Sequence, residues 1–165
     1  MSKGRTYLNQ ILMSYYSQFF SIGSVIREAG KHRRHHYKIY FPECDYKSVD
    51  QSTADGAEIQ NNLEDLKTIY ENSVDGWIFV GMHDVLKNPE KAVQEILRTL
   101  KPGGRVLAGL SGPGYQNMQF GIENIQRFMR GFILDEIRFF YGPENDQYYT
   151  DGPMTVAFVL ARKPK

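Results

Sequence analysis

The sequence predicts a single α/β domain with a doubly wound, mostly parallel sheet and an antiparallel strand pair at its C-terminal end. Three observations carry this. Gly76-Trp77-Ile78-Phe79-Val80 is an uninterrupted apolar run, the mark of a strand covered on both faces in a parallel sheet. Asn88-Pro89-Glu90 opens a helix with apolar positions at Ala92, Val93, Ile96, Leu97 and Leu100, which Lys101-Pro102-Gly103-Gly104 stops before a strand from Arg105 to Leu110. Strand and helix patterns alternate along most of the chain, which implies right-handed β-α-β crossovers.

The bulk properties agree. A chain of 165 residues holds one domain with a real core and is too short for two ordinary ones. With 41% hydrophobic and 24% charged residues, global disorder is excluded. A net charge of +1 supplies no overall attraction to nucleic acid or anionic membrane, so such binding would need a local patch. The lone Cys44 excludes an intrachain disulfide framework and fits a reducing compartment. No apolar run approaches the ~20 residues of a membrane span. Asn9, Gln10 and Ser14 break the stretch that would form a signal-peptide core, so a cytoplasmic protein is expected.

Taken in order, Leu8, Ile11, Leu12, Tyr15 and Tyr16 form a helical stripe, giving an N-terminal helical segment over 1–18 ahead of one domain over 19–165. Gln18 to Ile22 reads as a short buried strand closed by Gly23-Ser24, and Val25 to Gly30 as the start of a helix. Pro42 marks a break, and Tyr46 to Val49 reads as a strand ending at Asp50. Ala57 to Gln60 is a third, weak strand, with a short helix suggested by Leu63, Leu66 and Ile69. After the Gly76–Leu110 unit come a helix over Ile122 to Phe132 and two strands, Glu136 to Tyr141 and Thr155 to Ala161. Trp77, Phe79 and Phe139-Phe140-Tyr141 are expected in the core.

Ser73-x-Asp75-Gly76, the Asn88–Arg98 helix and Leu100-Lys101-Pro102-Gly103-Gly104-Arg105 together resemble the class I S-adenosylmethionine-dependent methyltransferases, a Rossmann-like family. There Lys101 would meet the last helical carbonyls, Pro102 end the helix and the glycine pair turn the chain. The resemblance extends over about Phe19 to Lys163, with Asp75 to Arg105 its specific portion.

The resemblance implies S-adenosylmethionine as cofactor. It places Ser21, Gly23 and Ser24 in the cofactor loop and Asp50, with Gln51, at the ribose hydroxyls, where a carboxylate can accept both hydrogens. Asn62 and Leu63 would read the adenine edge, and Gly81, after the fourth strand, is a further cofactor-binding candidate. His83 and Asp84 follow that strand and are the candidates to orient or deprotonate an acceptor, a role suited to an imidazole titrating near neutrality. Arg33 and Arg34, in the basic run Lys31 to Lys38, are candidates for an acidic group on the substrate, with Tyr115 in a loop after the fifth strand. The alternative for that run is a solvated face. Its histidines match no zinc-ligand spacing, so no metal is expected.

Three places depart from the family pattern of acidic-x-Gly-x-Gly-x-Gly, Asp and Leu-Glu-His: Ser21 and Val25, Asn62, and His83-Asp84-Val85. They leave two functions in view: methyl transfer to a small-molecule or glycan acceptor, and a catalytically degenerate binding or partner domain. The stretch Phe41-Pro42 to Val49-Asp50 resembles methyltransferases of sugar and polysaccharide pathways, which suggests a sugar hydroxyl and polysaccharide biosynthesis. The chain is short for the family, which leaves room for a homo-oligomer or partner subunit to complete the site.

Overall fold

In the computed structural model, which describes residues 3–30, 37–52, 56–83, 85–111, 122–141 and 155–165, the strands join in one sheet. They are β1 (Val25–Ala29), β2 (Asp45–Asp50), β3 (Ile59–Gln60), β4 (Val74–Val80), β5 (Leu100–Ser111), β6 (Ile133–Tyr141) and β7 (Thr155–Arg162). The helices are α1 (Lys3–Tyr16), α2 (Pro89–Thr99) and α3 (Ile122–Phe128). Across the sheet the order is β3-β2-β1-β4-β5-β7-β6. The first five run parallel, and β7 is antiparallel to both β5 and β6.

The apolar run of β4 follows from its central place. Trp77 and Phe79 enter the core beneath α2 and α3, while Ile78 and Val80 enter the second core on the opposite face, with Met13 and Tyr16 of α1. Burial of the single indole is matched by a hydrogen bond: Trp77 Nε1 donates to Thr99 Oγ1 at 3.0 Å, and that hydroxyl donates to the Ile96 carbonyl at 3.1 Å. Asn88 caps α2, its side chain accepting from the Lys91 amide at 3.0 Å.

The turn into β5 is held differently from the expectation. Lys101 Nζ binds Asp75 Oδ1 at 2.8 Å, and Asp75 Oδ2 accepts the Val25 amide at 2.8 Å, so one carboxylate ties together the amino ends of β1, β4 and β5. The carbonyls at the end of α2 are instead met by Lys163 Nζ, at 3.3 Å from Arg98 O and 2.9 Å from Leu100 O. Gly103 turns at φ +77, a conformation that favours glycine.

The first quarter of the chain corrects the sequence reading. Gln18 to Ile22 is not a strand: Ser17–Phe19 is a 3-10 turn, and Phe20 packs so closely on Gly76 that a Cβ there would meet its ring at 2.5 Å. The strand is Val25–Ala29, the stretch expected to begin a helix. Its charged residues find partners in the tertiary structure. Arg27 donates to the carbonyls of Ile26 and Asp45 and pairs with the Asp45 carboxylate at 3.0 Å. The guanidinium holds that carboxyl below its usual range. Buried Glu28 accepts from Tyr46 Oη at 2.9 Å.

Smaller corrections have similar causes. Leu63, Leu66 and Ile69 are buried but form no helix, and α2 satisfies the backbone of Leu66 and Ile69. Glu95 Oε2 accepts the Leu66 amide at 2.9 Å, and Arg98 Nη2 donates to the carbonyls of Leu66 at 3.0 Å and Ile69 at 3.4 Å. The buried stripe of α1 is Asn9, Leu12, Met13 and Tyr16, and Ile11 is half exposed. α3 stops at Phe128, and Gly131 beyond it has φ +95. Among the described residues no helix is long and apolar enough to cross a membrane.

Candidate active site

At the carboxyl edge of the parallel strands, four chain segments arrive together: Gly30 after β1, Asp50 ending β2, Asn61 after β3 and Gly81 to His83 after β4. Open parallel sheets bind ligands at this edge. Gly30 has φ +75, and its amide donates to the Val49 carbonyl at 2.8 Å. Because Ala29 is in register with Val49, Gly30 lies beside Asp50.

Local bonds set each side chain. Asp50 Oδ1 accepts the Ser52 amide at 3.0 Å, which turns the chain after β2. The Asn61 amide donates to the Asp50 carbonyl at 2.9 Å, and Asn61 Nδ2 donates to Thr68 Oγ1 at 2.7 Å. Gly81, at φ +69, donates to the Gly109 carbonyl at 3.0 Å and fixes the exit of β4 against β5. His83 is buried, 7% exposed. Beneath this edge, on the α1 face, the Glu28 carboxylate sits against Tyr46. Burial above all, then the Glu28 charge, pushes the Tyr46 phenol far up, so it stays a proton donor.

Of the residues named from sequence, Asp50, Gln51, Asn62, Leu63, Gly81 and His83 lie at or next to this edge. Gln51 is exposed and its carbonyl accepts from Gln60 Nε2 at 3.3 Å. Asn62 Oδ1 accepts the Glu64 amide at 2.9 Å, and the Leu63 side chain belongs to the core. Ser21, Gly23 and Ser24 do not join them. They precede β1, at the opposite edge, where the Gly23 amide donates to Glu43 O and the Ser24 carbonyl accepts the Asp45 amide. The displacement follows directly from β1 being Val25–Ala29. Arg33, Arg34, Asp84 and Tyr115 lie outside the described residues.

Sequence reasoning missed Glu28, Gly30 and Asn61. The signal was present: Glu28-Ala29-Gly30 has the acidic-x-Gly form, with Asp50 twenty residues after Gly30. In this register the next glycine place holds His32. Among the described residues no group of three or more His, Cys, Asp or Glu is placed to hold a metal ion.

The family described as methyltransferase domain matches residues 23–108, just over half of the chain. The chain belongs to that family. The matched span opens just before β1 and takes in all four segments of the edge. No curated protein sequence matches this methyltransferase domain.

Solved structures share its Rossmann-like fold. A SAM-dependent methyltransferase from Methanosarcina mazei is similar with a TM-score of 0.69 at 12% identity, over 91% of this chain and 97% of its own. The N-methyltransferase NodS from Bradyrhizobium japonicum, in complex with S-adenosylhomocysteine, gives 0.68 at 15% identity over 98% of this chain and 87% of its own. The [4+2]-cyclase SpnF gives 0.72 at 15% identity over 93% and 80%. At such identities the likeness is one of fold, and a cyclase among the neighbours shows that fold alone does not name the reaction.

Proposed function

We propose that the protein is a methyltransferase that uses S-adenosylmethionine, held along the edge formed by Gly30, Asp50 and the Asn61–Leu63 turn. The observation that carries this is the juxtaposition of Gly30 and Asp50, each one residue beyond the Ala29–Val49 pair of adjacent parallel strands. The positive φ of Gly30 sets the sharp turn out of β1 beside Asp50, and that carboxylate can accept both hydroxyls of a ribose. Asn62 and the Leu63 amide fit the base side. The buried Glu28 carboxylate supplies negative charge beneath the site, which suits a cationic ligand. These residues therefore fit the cofactor, which when bound supplies an electrophilic methyl group on a sulfonium. Ser21, Gly23 and Ser24 are not part of this proposal.

The acceptor would enter over Gly81 and His83. His83, with Asp84, is assigned to orient the acceptor and to take the proton from a hydroxyl, which a neutral imidazole does near physiological pH. A small molecule or glycan is the acceptor class we favour, a sugar hydroxyl within it. Arg33, Arg34 and Tyr115 are retained as contacts for an acidic acceptor.

A second function has one specific observation in its favour: the sequence has His32 where the family pattern has its second glycine, the residue type that lets a backbone approach a cofactor closely. It is a methyltransferase-like binding or partner domain without transfer. Incubating purified protein with labelled S-adenosylmethionine and a cell extract separates the two. Label transferred in a protein-dependent manner supports the enzyme. Absence of transfer, together with a stable complex pulled from the same extract, supports the binding domain.

A further inference from the structure

We propose a second ligand site, for a small phosphate-bearing or similar multivalent oxyanion, at the amino edge of β5 and the end of β7. It does not rest on the methyltransferase function, and it lies at the edge opposite Gly30 and Asp50, roughly 15–20 Å away along β5. A cavity of about 530 Å³ opens there, lined by Gly103, Arg105, Ile133, Arg162 and Lys165. A second cavity of about 260 Å³ adjoins it through Gly103 and Arg105 and reaches Lys101.

The charge arrangement is the reason to expect a ligand. Arg105 and Arg162 are directly opposed in the β5–β7 ladder, so both side chains leave the same face. Like charges in that relation repel and weaken a sheet unless something compensates. Among the described residues the compensation is partial. Asp135 pairs with Arg162, while Asp75 is already bonded to Lys101 and to the Val25 amide. Arg105 Nη1 donates to the Phe19 carbonyl at 3.0 Å, and its Nε is buried without an acceptor.

Two guanidinium groups and Lys165 thus line one cavity, with the Asp135 carboxylate held on Arg162, in a chain of net charge +1. Concave clusters of one sign concentrate counter-ions. Guanidinium forks match phosphate oxygens in pairs, and a buried, unsatisfied N–H gains a charge-assisted bond from such a ligand. An oxyanion there would relieve the repulsion between the opposed arginines.

The test is titration of 15N-labelled protein with pyrophosphate, read at the arginine Nε–H signals. Arg105→Lys assigns the Arg105 signal. A saturable shift of that signal is expected, with affinity falling about tenfold in Arg162→Gln and also falling in Lys165→Gln. Lys165 is exposed, so its variant tests the site even if Arg162→Gln fails to fold. Binding of S-adenosylhomocysteine should be unchanged in either folded variant. No saturable shift at millimolar pyrophosphate, or equal affinity in wild type and Lys165→Gln, would overturn the proposal. Tighter binding of an oligonucleotide with a steep salt dependence would overturn it too, in favour of a polyanion.

Discussion

A Cβ on Gly30 would lie 2.4 Å from the Met82 sulfur. The end of β1 is therefore packed directly onto the segment that leaves β4, and the two walls of the candidate site are in contact. Gly30→Ala meets both this overlap and a strained φ of +75. A loss of about 1–2 kcal/mol in stability is expected, mainly from the strained φ because the tip of the Met82 side chain can shift, measurable by denaturant unfolding. Stability equal to wild type would contradict a backbone cost at Gly30.

Glu95 and Arg98 of α2 hold the turns that follow β3. Arg98 binds both oxygens of Glu95, at 3.0 and 2.8 Å, while the pair bonds the backbone of Leu66 and Ile69. The Arg98 hydrogen bonds, with a further one from the Leu66 amide, keep the Glu95 carboxyl below its usual range despite partial burial. A depressed carboxyl contributes stability at pH values above its unfolded pKa and loses it as pH falls through the folded one. Glu95→Gln should therefore cost about 1–3 kcal/mol near neutrality. The difference from wild type should shrink between about pH 5 and pH 2 in a series of urea melts. A constant difference across that range would contradict the role given to the charge.

How far the sequence revealed this fold depended on where each segment's partners lie. The unit from β4 to β5 was legible because its signals are local: a continuous apolar run, an Asn-Pro helix start and a Pro-Gly-Gly turn. β1 was not, because Arg27 and Glu28 interrupt its apolar pattern, and their partners Asp45 and Tyr46 come eighteen residues later. The turns after β3 likewise depend on α2, some thirty residues away. In the site, Asp50 was legible as a strand-end acid. Gly30 and Glu28 were hidden by the same misplacement of β1 that put forward Ser21, Gly23 and Ser24.

The single tryptophan makes the core directly observable. Thr99→Val removes the acceptor to which the buried Trp77 N–H donates at 3.0 Å. A destabilisation of about 1–3 kcal/mol is expected, with a changed fluorescence of the folded state. An unaltered spectrum and unfolding midpoint would show that the bond contributes little.

Calorimetric titration of S-adenosylhomocysteine into wild type and Asp50→Asn tests the assignment of the carboxyl edge most directly. Saturable binding to wild type is expected, weakened at least about tenfold in the variant with little change in melting temperature. No binding by folded wild type, or equal binding by both proteins, would contradict it.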